Sequence, residues 1–408
     1  QYSGNKGHLI EAVRKELNFL GFPDDQLQVG GLVVKTTLDK NAQAAAENAV
    51  FAQAPKKAPD NLHIGLVSIR PGTGEIVAMY GGQDYLKRQL NDATQSITQA
   101  GSTFKPFALV AALEQGISLA TIWNGDSPKI INDAIGRPYE ISNYGDKSFG
   151  DLPLLKATAN SVNTVYVPLG MKVGPEKVVD VARRAGIPET VAMVPTPSVV
   201  LGVSSPHVLD VANAFATFAA NGIKSTPFLV SEVLGANKGI LYQAKITNEQ
   251  VFDPTVMADL DYALGEVVRS GTASAALSGF GRPAAGKTGT SQQNASAWFS
   301  GYTPQLATSV AFFRDDATQS LNGIGGLNSV TGGSFPARIW NAYMKVALKD
   351  QPVMDFPAPT YIGGTTPAPI TDPIPTITNA QAATWCTTND LTGQPKDILD
   401  LCKQLTGK

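Results

Sequence analysis

GSTFKPFALVAALEQG, residues Gly101–Gly116, sets a serine and a lysine three positions apart at the head of an apolar segment. From Phe104 to Leu113 the residues are mostly apolar, the mark of a helix buried over most of its surface. Pro106 is tolerated in a first turn but not in an interior, so the spacing predicts a helix that begins near Ser102. Ser102 and Lys105 then share a face. Apolar surroundings disfavour an ammonium, so the Lys105 pKa is expected to fall until the neutral amine accepts a proton. A serine hydroxyl is a poor nucleophile without such a neighbour. The amides at a helix N-terminus add favourable electrostatics for developing negative charge. The stretch reads as a serine–lysine acyl-transfer pair.

S-x-x-K alone is weak, since ordinary residue frequencies supply about one copy in a chain this long. A second copy stands at Ser3–Lys6, "SGNK", in a polar terminal stretch with nothing to bury it. Two further motifs strengthen the first. "NSVN" offers Ser161 and Asn163 as an S-x-N pair, although "SLN" at Ser320–Asn322 repeats that pattern. "GKTGT" places Lys287, Thr288, Gly289 and Thr290 on a predicted strand. K-T-G is expected only about a tenth of a time by chance. A strand edge offers backbone groups to an extended peptide, which adds to it as one more strand. Gly289 permits close approach, while Lys287 and the threonine hydroxyls suit a terminal carboxylate.

Around these motifs, "HLIEAVRKELNFLG" has helical spacing and ends at a glycine suited to C′. "GLVVKTTLD" reads as a strand, "KNAQAAAENAVFAQA" as an alanine-rich helix, and "PKKAPD" (55–60) as a boundary. Two β-rich runs flank Pro71-Gly72-Thr73-Gly74, which predicts a hairpin. Helices follow from about Ser102, and strands return with "AGKTGT", "AWFSGYTP" and "ATSVAFF". Strands at both ends with helices between them predict an α+β fold whose antiparallel sheet joins distant parts of the chain. Trp298, Phe299 and Tyr302 are expected to pack this sheet against helices, and Trp340 and Tyr343 to be packing residues. "KSFGD" and "SQQNAS" are polar loops placed to line a cleft. After Lys349 a proline- and threonine-rich stretch reads as an extended linker.

The 408 residues suffice for two or three domains, or one large domain with appendages, and 43% apolar content provides a sizeable core. A net charge of −2 with interspersed signs favours neither nucleic acid nor an anionic membrane surface. The three histidines, His8, His63 and His207, stand far apart, and no Cys/His cluster has ligand spacing, so no metal site is expected. No apolar run is long enough to span a bilayer. The chain starts at Gln1 with neither an initiator methionine nor a signal-peptide pattern, which leaves a processed chain and a fragment of a longer one both open. Cys386 and Cys402, the only cysteines, either close a small loop worth roughly 3 kcal/mol or are two unrelated buried thiols.

The ordered set S-x-x-K, S-x-N, K-T-G is the motif set of penicillin-binding proteins and serine β-lactamases. The chain resembles the transpeptidase region of class A high-molecular-weight penicillin-binding proteins over most of residues 31–345. Blocks such as "TTLDKNAQAAAENAV", "GGQDYLKRQLNDATQ", "SNYGDKSFGDLPLLKATANSVNT", "LGVSSPHVLDVANAFATFAANG" and "GGSFPARIW" carry the likeness beyond the motifs. The resemblance implies an antiparallel five-stranded sheet flanked by helices. It also implies a division into an inter-domain linker region at 1–55, a D,D-transpeptidase domain at 56–350, a linker at 351–380 and a small C-terminal segment at 381–408.

By motif position, the resemblance casts Ser102 as nucleophile, Lys105 as its base, Ser161 as proton relay and Asn163 as the holder of Lys105 and substrate. Lys287 would keep the field positive and depress Lys105 further. Thr288, Gly289 and Thr290 would bind substrate, and the amides of Ser102 and Thr290 would form the oxyanion hole. The implied partners are peptidoglycan stem peptides ending in D-Ala-D-Ala, β-lactam antibiotics and an upstream glycosyltransferase domain in the full-length protein. No cofactor and no nucleic acid are implied. The implied place is the extracytoplasmic face of the bacterial plasma membrane, with this chain a soluble ectodomain fragment. That location favours the Cys386–Cys402 disulfide. Many members carry an acidic residue where this chain has Ser296, so substrate contacts near that loop are expected to differ. A D,D-carboxypeptidase, a β-lactamase-like hydrolase and a non-catalytic penicillin-recognising sensor are the rival readings.

Overall fold

The computed structural model describes residues 2–133 and 135–407. The elements that position the site begin with helices α1 (Asn5–Phe19) and α2 (Lys40–Gln53), followed by a hairpin of β1 (Leu62–Ile69) and β2 (Ile76–Tyr80). Next come helix α3 (Lys105–Glu114) and a small hairpin of β3 (Lys129–Asn132) and β4 (Pro138–Ile141). Helices α4 (Asn163–Val173), α5 (Val208–Ala219) and α6 (Pro254–Arg269) lead into strands β5 (Ala285–Thr290), β6 (Ser296–Thr303) and β7 (Leu306–Arg314). Helix α7 (Phe335–Ala347) and the C-terminal helices α8 (Asn379–Thr388) and α9 (Lys396–Thr406) follow.

The five-stranded sheet has the order β5–β6–β7–β1–β2, and every neighbouring pair is antiparallel. Its central joint pairs β7 with β1, Val310 opposite Leu66 and Thr308 opposite Ser68, across more than half of the chain. The β1–β2 turn forms at the predicted proline and glycines, with Gly72 and Gly74 at positive φ. A Cβ on Gly74 would lie 2.1 Å from the Thr226 carbonyl oxygen, so only glycine fits there.

Alternation along the strands assigns the two helical layers. Thr308 meets Met344, and the Phe312 ring stacks with Phe335, so that face of β7 is covered by α7. The opposite face carries Tyr302, whose ring meets Phe215 of α5 edge-on at 6.2 Å. Trp298, Phe299 and Tyr302 are buried, as their packing assignment requires. Tyr302 also donates to Asp261 at 2.6 Å, and burial pushes that carboxyl up to about 8.

The regions flanking the sheet pack onto it. Ala42, Ala46 and Val50 of α2 belong to the same core cluster as Ile339 and Trp340 of α7, so part of the 1–55 region completes the body's core. Residues 351–378 are extended, yet they are tied down along their length. The buried Asp259 carboxylate of α6 accepts the backbone N–H groups of Thr360, Tyr361 and Ile362 at 2.6–2.9 Å. Ala368 and Pro369 then pair in parallel with Thr121 and Ile122. The stretch is a strap on the body. Beyond it, Cys386 and Cys402 form a disulfide that joins α8 to α9.

Candidate active site

A single 3-10 turn, Gly101–Phe104, precedes α3, and Pro106 falls in the first turn of the α-helix proper. The predicted onset near Ser102 is therefore met by a tighter turn, because a proline without an N–H is tolerated only where no intrahelical donor is needed. All residues from Lys105 to Leu113 are buried, and Lys105 is fully so. Gly101 has φ +57, and a Cβ there would sit 2.8 Å from the Thr290 carbonyl carbon and oxygen. The missing side chain lets the start of this turn lie against the end of β5. It places the amides of Ser102 and Thr290 on neighbouring stretches of backbone.

Ser161 is held differently. The helix Leu154–Ala159 ends with Ser161 N–H donating to Thr158 O at 3.1 Å and Val162 N–H donating to Ala157 O at 3.0 Å. This double closure normally places glycine at its left-handed position. Here the position holds Ser161, at φ +57, a conformation costing about 1 kcal/mol for a residue with a Cβ. Asn163 opens α4 two residues later.

These elements converge on the Ser161 hydroxyl. Lys105 Nζ lies 2.6 Å from Ser161 O, 3.0 Å from Ser161 Oγ and 2.7 Å from Asn163 Oδ1. Lys287, fully buried on β5, donates to the same Ser161 Oγ at 2.8 Å and to Thr288 O at 3.0 Å. Asn163 is fixed in turn, its Nδ2 donating to Ser142 O at 2.8 Å. Burial, with the Lys287 charge added, drives the Lys105 pKa well below its ordinary value. Burial alone brings Lys287 to about 7. The Tyr166 ring, 5.4 Å from Lys105 Nζ, favours the charged amine but is outweighed.

Counting donors and acceptors gives a consistent protonation state. A neutral Lys105 donates its two N–H groups to Ser161 O and Asn163 Oδ1 and accepts the Ser161 O–H on its lone pair. Ser161 Oγ then accepts from a cationic Lys287. Every hydrogen bond is satisfied with one net positive charge.

One expectation is corrected. Among the described residues the partners of Lys105 Nζ are Ser161 and Asn163, and the Ser102 hydroxyl is not one of them. Ser102 instead opens into a cleft of about 940 Å³ that it lines together with Ser161, Asn163, Thr288 and Thr290. Ser161 offers the lysine two oxygens, its carbonyl and its hydroxyl.

The K-T-G residues lie on β5, at the edge of the five-stranded sheet. Ser291 N–H donates to Ser296 O at 3.1 Å, and in an antiparallel ladder this turns the N–H and C=O of Thr288 and Thr290 away from β6. Thr288 shares a hydrogen bond of 2.6 Å with Thr272, and Thr290 Oγ1 accepts from Gly332 N–H at 3.4 Å. Gly289 packs inward, where a Cβ would meet Ala100 O at 2.6 Å. Its role is close packing behind the edge.

Sequence reasoning did not find Thr272, Gly332, Ser142 or Tyr166, because each acts through a contact between segments far apart in the chain. Lys147 and Phe149 of "KSFGD" and Ser291–Asn294 of "SQQNAS" do line the cleft. Ser296 does not. It is fully buried and donates to Gln99 O at 2.6 Å, so its hydroxyl braces the segment before Ser102 and leaves the cleft wall to its neighbours. Asn322, of the spare S-x-N, reaches the cleft too, accepting from Asn294 Nδ2 at 3.0 Å. Ser3 and Lys6, the spare S-x-x-K, are exposed. Among the described residues no three His, Cys, Asp or Glu side chains are grouped to hold a metal ion, and no helix is long and apolar enough to cross a membrane.

Comparison with known proteins places this geometry. Residues 64–320 match the penicillin-binding protein transpeptidase domain. Penicillin-binding protein 1A of Mycobacterium tuberculosis is 37% identical over 387 residues, 89% of this chain and 46% of that protein. Penicillin-binding protein 2D of Bacillus subtilis is 31% identical over 86% of this chain and 50% of its own. The chain thus spans about half the length of the curated relatives it matches. The solved structure of the M. tuberculosis protein PonA1 in complex with penicillin V superposes with a TM-score of 0.80 at 33% identity, covering 90% of this chain and all of that one. A ceftriaxone acyl-enzyme complex of M. tuberculosis penicillin-binding protein A, at 22% identity and a TM-score of 0.66, shares the fold. With both the sheet and the matched sequence spanning most of the body, the chain belongs to the penicillin-binding protein transpeptidase family.

Proposed function

We propose that this domain is a D,D-transpeptidase that cross-links peptidoglycan stem peptides through an acyl-enzyme on Ser102. The observation that carries the reading is the pair of buried lysines sharing the Ser161 hydroxyl beside a cleft that Ser102 lines. Ser102 Oγ attacks the carbonyl of the penultimate D-alanine, and its proton passes to Lys105, whose amine first releases the Ser161 hydroxyl. The amides of Ser102 and Thr290 receive the developing oxyanion. The C–N bond breaks as Ser161 gives a proton to the leaving D-alanine amine and is reprotonated from Lys105. An acceptor amine from a second stem peptide then displaces Ser102 and forms the cross-link. Asn163 holds Lys105 in place, Lys287 keeps the site positive, and Thr288 and Thr290 bind the substrate carboxylate.

A β-lactam mimics D-Ala-D-Ala and acylates the same serine, but its leaving amine stays tethered. The penicillin complex of the 33% identical PonA1 supports this extension. In the same reading a glycosyltransferase domain lies upstream in the full-length protein, and the domain works on the outer face of the plasma membrane.

The test is intact mass spectrometry after exposure to benzylpenicillin. One adduct per chain, long-lived and mapping to the Ser102 peptide, is expected. Rapid turnover of a chromogenic cephalosporin would mark a hydrolase instead, and an adduct elsewhere would reassign the nucleophile.

A further inference from the structure

The cleft does not end at the three motifs. One of its walls is the outer face of α9, where Asp397, Asp400, Leu401 and Gln404 line the same cavity as Ser102. Spacings of three and four residues put these side chains on a single stripe of the helix. The opposite stripe is docked. Leu401 sits at the border and clusters with Ile130 of β3 and Ala382 of α8, with Ile377 and Leu405 packed against them. Ile377 N–H donates to Ile130 O at 2.8 Å, which carries the end of the strap onto the β3 edge.

Cys386, Ile398 and Cys402 form a second small cluster behind the stripe, and the disulfide holds α8 and α9 together there. Between α9 and the catalytic groups lies β4, whose Tyr139, Glu140 and Ile141 also line the cleft. Burial, with the nearby Asp397 carboxylate, pushes the Tyr139 phenol up to about 12. The next residue, Ser142, holds Asn163.

We propose that the disulfide-closed α8–α9 pair is a specificity wall of the cleft, contacting the part of a donor peptide that precedes its acylating residue. This rests on the acyl-transfer reading above. A peptide whose carboxylate lies at Thr288 and Thr290 and whose carbonyl meets Ser102 leads its earlier residues past Asn163 toward β4 and α9. A small bicyclic lactam, anchored at the same end, stops short of the helix. The wall therefore discriminates by what is attached to the reacting group and leaves the reaction itself untouched.

The test compares acylation of the full chain by benzylpenicillin and by a penicillin bearing a stem-peptide side chain. Gln404→Trp adds bulk at an exposed position on the wall. Cys386→Ser/Cys402→Ser unties the helix pair. In both variants the benzylpenicillin rate constant is expected within about twofold of the parent, while the peptidyl-penicillin constant falls roughly tenfold. Equal changes for the two lactams, or none for either, would overturn the wall. Failure of the parent to react with benzylpenicillin would instead sink the acyl-transfer reading on which it rests. If the cysteine variant does not fold, Gln404→Trp alone decides.

Discussion

Ser3–Lys6 and Ser102–Lys105 carry the same four-residue pattern, each with a glycine beside the serine, yet only one of them lies at a candidate catalytic centre. In the first, at the start of α1, the Ser3 and Lys6 side chains are exposed. The second lies where a 3-10 turn meets a helix buried from Lys105 to Leu113, with a second buried lysine brought alongside by β5. The flanking glycines differ in the same way. Gly4 at φ +69 has Gln83 O 3.9 Å from where a Cβ would stand, whereas Gly101 has the Thr290 backbone at 2.8 Å. A pattern of residue types becomes a proton acceptor and a nucleophile only where the fold removes water and supplies a second charge.

That contrast is most sharply broken by exchange at the serines. Ser102→Ala is expected to abolish stoichiometric penicillin labelling, with stability within about 0.5 kcal/mol of the parent in denaturant titration. Ser3→Ala should leave labelling intact. Next in size, Lys105→Ala should slow acylation by about 10²- to 10⁴-fold, the range for losing a general base. Lys6→Ala should not move the rate in the same stopped-flow assay, and an equal effect at both lysines would erase the distinction.

Third come the glycines. Gly101→Ala should slow acylation by about tenfold, since a displacement of the Thr290 amide weakens one of two proposed oxyanion donors. Gly4→Ala, at φ +69 and ψ −164, should cost about 1–3 kcal/mol of stability by thermal melting and nothing in acylation.

The smallest effect is in the pH profile. Acylation needs Lys105 neutral, so its rate should fall as pH drops through the depressed Lys105 pKa. It needs Lys287 charged, so the rate should fall again as pH rises above about 7. Lys287→Ala removes the like-charge repulsion and should shift the surviving acid limb toward higher pH. An unmoved limb would mean that burial alone sets the base.

Much of this was legible in the residues. The α1 terminus at Gly21 is the predicted glycine C-cap, closed by Phe22 N–H on Leu17 O at 2.9 Å. The 71–74 turn and the three returning strands also follow from local pattern, because turns and periodicity depend on near neighbours. The motif residues Ser161, Asn163, Lys287 and Thr290 could be singled out by type and spacing.

What could not be read was that both lysines hold the Ser161 hydroxyl. The sequence reading pairs Lys105 with Ser102, its neighbour on the helix. The structure has Asn163 hold Lys105, the contact that the resemblance implies, and adds both oxygens of Ser161, 56 positions away, where no hydrogen bond runs to Ser102. Nor does spacing reveal that Ser296 faces inward to Gln99, or that a C-terminal appendage lines the cleft.

The amino-acid sequence by itself determined the 71–74 turn, the returning strands, the buried character of α3 and the residue types fit for acyl transfer, since these follow from periodicity, turn chemistry and side-chain composition. Only the tertiary structure decided that Lys105 and Lys287 meet on one hydroxyl, that β5 presents its free edge beside Gly101, and that α9 closes the far wall. Those outcomes depend on desolvation and on contacts between segments far apart in the chain, and neither is encoded in any local stretch.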